Sequence, residues 1–123
     1  MEPGAVLDEA TLAARLASTL PAWTLAGGSI RRVYRVAGWK SALIVATTVG
    51  HLAEAAWHHP ELVVAYGRVE VRLTTHDAGG VTEKDLALAA RIEEVVGWRP
   101  GREDGPLDGT PADRRHAYVR YEG

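Results

Sequence analysis

Two adjacent histidines, stopped by a proline, stand in the segment 54–66, EAAWHHPELVVAY. Imidazole titrates near neutrality, so His58 and His59 are suited to give and take a proton. Glu54 precedes His58 by four residues, the spacing of one helical face. A carboxylate there can orient the ring and stabilise its protonated form. At the C-terminal end of a helix the dipole favours the imidazolium as well. Neighbouring helical side chains point about 100° apart, so the two rings either flank a ligand or divide between ligand and core. A third histidine, His76, follows Thr75 at a predicted strand end and leads into Asp77, Ala78 and a glycine loop, where site residues are common. Asp85 falls in the first turn of the next predicted helix. Plainer readings stand beside these: a polar helix end at the histidine pair and a helix-start charge at Asp85. Three histidines could also hold a metal. An adjacent pair is an awkward chelate, however, and neither H-x-x-x-H nor a carboxylate triad accompanies it. His51 and His116 carry no such context and read as surface residues.

The elements that must position these groups follow from periodicity. DEATLAARLASTL reads as a helix capped by Asp8, with Leu12, Leu16 and Leu20 on one face and Pro21 ending it. Residues 1–7 read as a loose end. Two strands flank the Gly27-Gly28 turn signal. In the second, Ile30, Arg32, Tyr34 and Val36 share a face, an imperfect alternation. GWKSALIVATTVGHLAEAAWHH is the longest helical signal. Its expected buried face is Trp39, Ala42, Leu43, Ala46, Val49, Gly50, Ala53, Ala56 and Trp57. Pro60 ends it. A strand at 62–65, a turn at Tyr66-Gly67 and a half-buried strand carrying Val69, Val71 and Leu73 come next. The last helix starts at Thr82, with Asp85 placed for a capping box. Leu88, Ala89, Ile92, Val95 and Val96 form its apolar face, and Gly97 stops it. The rest, 98–123, is rich in Gly, Pro and charge, with a short late strand near Tyr118 to Tyr121.

The order α-β-β-α-β-β-α plus a C-terminal extension argues against singly alternating βαβ units. It predicts an α+β fold, a four-stranded antiparallel sheet with helices packed on one face. At 123 residues the chain fits one domain, with its core about 8–97 and the extension 98–123. No cysteine occurs, which removes disulfides, thiolate zinc sites and a cysteine nucleophile. The net charge is −2 and the basic residues are scattered along the chain, so nucleic acid is a disfavoured partner. No run is long and apolar enough for a membrane span, and no basic region followed by an apolar stretch is visible, so no secretory signal is expected. A cytoplasmic location is expected. Phenylalanine is absent, so Leu, Val, Ala, Trp and Tyr must fill the core.

Taken together, Glu54-x-x-x-His58-His59-Pro60, then Tyr66, then Thr75-His76, then Thr82-Glu83-Lys84-Asp85 resemble the pterin-4a-carbinolamine dehydratase family. The resemblance covers about residues 8–97. Tyr34, Val36 and Trp39 stand where the family usually has phenylalanines, which reads as substitution within the core. The resemblance implies dehydration of 4a-hydroxytetrahydropterins to quinonoid dihydropterin and water, in recycling of the hydroxylase cofactor, with no metal or organic cofactor. It implies His58, His59, His76 and Asp85 as catalytic residues. The pterin would be held by Glu54, His58, His59, Pro60, Thr75, His76, Asp77 and Ala78, and the 75–78 backbone would meet its polar edge. Acid and base roles stay open among the histidines. Both His58 and His76 are expected at a rim. A homodimer or homotetramer is implied. The rival reading is a non-catalytic module of the same fold, serving as a protein assembly factor (for RuBisCO, for example) or as a dimerisation cofactor of a transcription factor. A scaffold has no need of all five site residues at working spacing, which favours the enzyme.

Overall fold

The structure is a computed structural model, described over residues 4–121. Helix α1 (Glu9–Thr19) precedes strands β1 (Thr24–Leu25) and β2 (Ile30–Arg35). Helix α2 (Trp39–Ala56), strands β3 (Glu61–Ala65) and β4 (Arg68–Leu73) and helix α3 (Glu83–Val96) follow. All strand pairs are antiparallel and the sheet order is β1-β2-β4-β3. This is the expected α+β architecture. Asp8 caps α1 through Thr11, as its position suggested. Segment 1–7 is only partly the loose end expected. Leu7 is buried and its N–H donates to the Val81 carbonyl, while residues 1–3 lie outside the described part.

Register sorts the sheet into two faces. Ile30 pairs with Leu73 and Tyr34 with Val69, and these meet Leu12 and Leu16 of α1, Val45 and Val49 of α2, and Ala89 and Ile92 of α3 in one core. Arg32 breaks the alternation because it has a partner on the inner face. Its guanidinium lies over the Tyr34 ring, 4.2 Å from the centroid, and donates to Glu93 Oε1. The Trp23 indole and the Tyr34 hydroxyl donate to the same oxygen, at 2.9 and 2.8 Å. Burial, then the neighbouring Glu93 carboxylate, pushes the Tyr34 hydroxyl well above its ordinary range. The opposite face gathers arginines that are scattered in sequence. Arg31 sits across from Arg72 and Arg35 across from Arg68. Glu70 lies between the strands' arginines and accepts from Arg31 at 2.6 Å and Arg72 at 2.9 Å.

Helix α2 departs from expectation on its outer side. Ala42, Val45, Val49 and Ala53 are buried, whereas Trp39, Leu43, Ala56 and Trp57 are exposed. The apolar stripe on α2 is wider than the single face the sheet covers. Trp39 is therefore a surface residue and not a core substitute. In α3 the capping box forms as predicted, Leu86 joins the buried face, and Val95 is largely exposed. Among its described residues the extension adds no full strand. Val119 makes one antiparallel bridge to Val36, with Ala37 N–H donating to the Tyr118 carbonyl and Arg120 N–H to the Arg35 carbonyl. Those two bonds use the free edge that the two-residue β1 leaves on β2.

Candidate active site

The histidine pair does not continue α2. The helix ends at Ala56, and Trp57 takes a left-handed conformation with φ 52°. Trp57 N–H then donates to the Glu54 carbonyl and His58 N–H to the Ala53 carbonyl, the paired bonds of a Schellman ending. Glycine or asparagine is the usual residue at that position. A bulky side chain there carries a conformational cost on the order of 1–3 kcal/mol. The reversal explains why four-residue spacing misassigned the carboxylate. Glu54 reaches His59 Nε2 at 2.6 Å, not His58.

His58 finds a different partner. Its Nε2 lies 2.5 Å from Asp85 Oδ1. Topology makes this possible. The start of β3, just after Pro60, pairs with the end of β4, since Glu61 lies opposite Arg72. Thr75, at the same end, forms a bridge with Gly80 and brings back the start of α3. Asp85 is fully buried there. Its Oδ2 accepts from the Thr75 hydroxyl at 2.7 Å and the Thr82 N–H at 2.9 Å. The two threonine hydroxyls are 2.8 Å apart, and Lys84 N–H donates to Thr82 Oγ1. Since Thr75 donates to Asp85, the Thr82 hydroxyl donates to Thr75. Every hydrogen in the chain then has one direction, ending on the carboxylate. Where Asp85 Oδ1 is the acceptor, His58 carries its hydrogen on Nε2, and Nδ1 is the nitrogen left to exchange a proton.

The pair therefore divides between an inner and an outer role. The His58 side chain is only 15% exposed and stands deeper than the rim position expected for it. His59 is half exposed and Glu54 more so. The Trp57 and His59 rings meet edge to face with centroids 5.0 Å apart. His76 and Asp77 are exposed in a single 3-10 turn, His76–Ala78, behind β4. The 75–78 backbone is less available than expected. Thr75 N–H donates to the Gly80 carbonyl, and the Thr75 carbonyl accepts from Ala78 and Gly79. The outward groups of this loop are the His76 and Asp77 side chains. Tyr66, part of the sequence pattern, lies at the far end of β3 against Gly38 and away from the histidines. A cavity of about 540 Å³ opens beside His58, between the end of α2 and the start of α3. A larger one, about 800 Å³, lies under the extension and contains no histidine. Sequence reasoning missed Thr82 as a network member. Its one signal was the capping box, which ties a threonine hydroxyl and an aspartate to the same helix start.

Residues 5–95 match the family model described as pterin 4 alpha carbinolamine dehydratase. A protein of Chloroflexus aurantiacus, provisionally named pterin-4-alpha-carbinolamine dehydratase, is 50% identical over 91 residues, covering 74% of this chain and 97% of the relative. A provisionally named dehydratase of Aquifex aeolicus is 43% identical over 77 residues, covering 63% of this chain and 78% of its own. A crystal structure described as a transcriptional coactivator/pterin dehydratase from Brucella melitensis superposes with a TM-score of 0.66 at 29% identity, covering 73% of this chain and 97% of its own. The extension lies beyond the matched segment, which ends at residue 95. By these matches the chain belongs to the pterin-4a-carbinolamine dehydratase family.

Proposed function

We propose that the chain is a hydro-lyase that dehydrates 4a-hydroxytetrahydropterins to quinonoid dihydropterin and water, in tetrahydropterin recycling. The observation that carries this reading is the buried carboxylate behind His58. A solitary histidine at a helix end needs no such support. Here Asp85, held by Thr75 and Thr82, fixes one ring nitrogen and leaves the other to work. Family membership supplies the substrate class.

The reaction breaks the C4a–O bond and removes the N5 proton, and a C4a=N5 bond forms. One imidazolium delivers a proton to the departing hydroxyl, which leaves as water. A neutral imidazole accepts the N5 proton, so the two histidines exchange protonation states and no electrons are transferred. His58, steadied by Asp85, is assigned the proton-accepting role, because Asp85 holds its Nε2 and leaves Nδ1 as the accepting nitrogen. His59, paired with Glu54 in solvent, or His76 supplies the acid and recovers its proton from water. Pro60, Asp77 and Ala78 complete the shell around the pterin, and Thr75 acts through Asp85. No metal or organic cofactor enters the proposal. A cytoplasmic location goes with it.

A partner-binding role is a second reading, supported by one observation. Trp39, Leu43 and Ile44 leave an exposed apolar stripe on α2. Such a stripe suits a homodimer or homotetramer, and it suits a protein partner of the assembly-factor or coactivator kind. No nucleic acid or membrane role is proposed. Among the described residues no helix is long and apolar enough to cross a membrane. Ultraviolet absorbance during decay of freshly generated 4a-hydroxytetrahydropterin tests the enzyme reading. Acceleration by the wild type is expected. Folded protein with no acceleration would leave the partner-binding reading.

A further inference from the structure

Trp57 is the one non-glycine residue with a positive φ among the described residues. It is also the most exposed of their large apolar side chains, at 76%. The helix ending explains the φ but not why a tryptophan takes it, and nothing in the core explains the exposure. The left-handed ending favours glycine or asparagine, which lack the steric penalty of a large side chain. An indole left in water forgoes most of the burial that makes tryptophan stabilising. A residue unfavourable to the backbone and idle in the core points toward a role at the surface it occupies.

That surface adjoins the candidate site. Trp57 lines the cavity beside His58, whose apolar wall is Leu52, Ala87 and Leu88. On its other side the indole meets His59 edge to face. It thus adjoins both histidines, standing between the cavity and the His59 ring.

We propose that Trp57 is a substrate-binding residue, stacking on the flat heteroaromatic ring of the substrate and holding it against His58. This rests on the dehydratase reading above and deepens it. Stacking acts on the bound ring before and during dehydration alike. Its loss therefore raises KM and leaves kcat little changed.

The test compares Trp57→Asn, Trp57→Gly and Trp57→Phe with wild type by dehydration kinetics, thermal melting, sedimentation and quenching of tryptophan fluorescence by oxidised pterin. Asparagine and glycine relieve the backbone, so both variants should melt higher than wild type. Both should show KM raised about tenfold, in line with loss of one aromatic stack. Both should lose most of the pterin-dependent quenching. Phenylalanine keeps a stacking face and should keep KM near wild type. A wild-type KM and full quenching in the asparagine and glycine variants would overturn the proposal and leave Trp57 a helix ending only. A raised KM that tracks dissociation of an oligomer would overturn it in favour of contact with a second copy of the chain. Failure of the dehydratase reading would appear in the wild type itself, as an absence of turnover, whereas failure of the Trp57 proposal appears only in the variants.

Discussion

Two histidine–carboxylate pairs sit one residue apart and live in different solvents. His58 meets Asp85 at 2.5 Å, and the carboxylate has no exposed surface. His59 meets Glu54 at 2.6 Å, with both side chains about half exposed or more. The lengths are nearly equal, so length does not separate them. What separates them is what else the carboxylate holds. Asp85 ties together the end of α2, the loop behind β4 and the start of α3, whereas Glu54 holds one ring. Water screens the outer pair and lets it exchange, whereas the inner pair is screened far less. The inner pair should govern both fold and chemistry, and the outer pair chemistry alone.

Asp85→Ala breaks the comparison most severely. It leaves His58 Nε2, the Thr75 hydroxyl and the Thr82 N–H without an acceptor. Urea unfolding should show a loss on the order of 3 kcal/mol, the scale for removing one partner of a buried pair. Turnover should fall at least about 100-fold, the scale of one acid–base group. His58→Ala separates the two effects. Turnover should fall about as far, while stability drops only about 1–2 kcal/mol, because Asp85 keeps its other two donors. Glu54→Gln sharpens the contrast from the other side. Its effect on unfolding should stay within about 0.5 kcal/mol, as for an exposed pair, with only a modest fall in turnover.

The smallest effect tests the neighbourhood by pH. Glu83 begins α3 and accepts two bonds from Arg15, both 2.8 Å. Those bonds, and then the Arg15 charge, hold its carboxyl below the ordinary 4.5. A carboxyl lowered by folding stabilises the protein above its ordinary value and loses that contribution as pH falls below it. Glu83→Gln should therefore flatten the acid limb of stability below pH 4.5. The change should be less than about 1 kcal/mol, because both partners face solvent. Turnover near neutrality should not move.

How far the sequence foretold this can be judged residue by residue. Asp8, the Gly27-Gly28 turn, the alternation through Leu73 and the capping box at Thr82 are local signals. Each was legible because the residue acts on neighbours within a few positions. The errors arose where the relevant partner was distant or the backbone left its period. Nothing near Arg32 announces Glu93, 61 residues away, so an inward arginine looked like a fault in the strand. The helical period carried Glu54 toward His58 because no glycine marked the reversal at Trp57. Asp85 was visible as a helix-start acid, but its bond to His58 depends on the bridge between Thr75 and Gly80, which only the folded sheet supplies. The width of the α2 stripe gave no clue to which part the sheet would cover, and Trp39 and Leu43 proved to lie outside it.

The most direct test of the account is the rate of dehydration of freshly generated 4a-hydroxytetrahydropterin, followed by absorbance, for wild type, His58→Ala and Glu54→Gln side by side. Acceleration by the wild type that falls about 100-fold in His58→Ala and only modestly in Glu54→Gln is the predicted pattern. Equal losses in the two variants, or no acceleration by folded wild type, would contradict the central claim that the buried pair carries the chemistry.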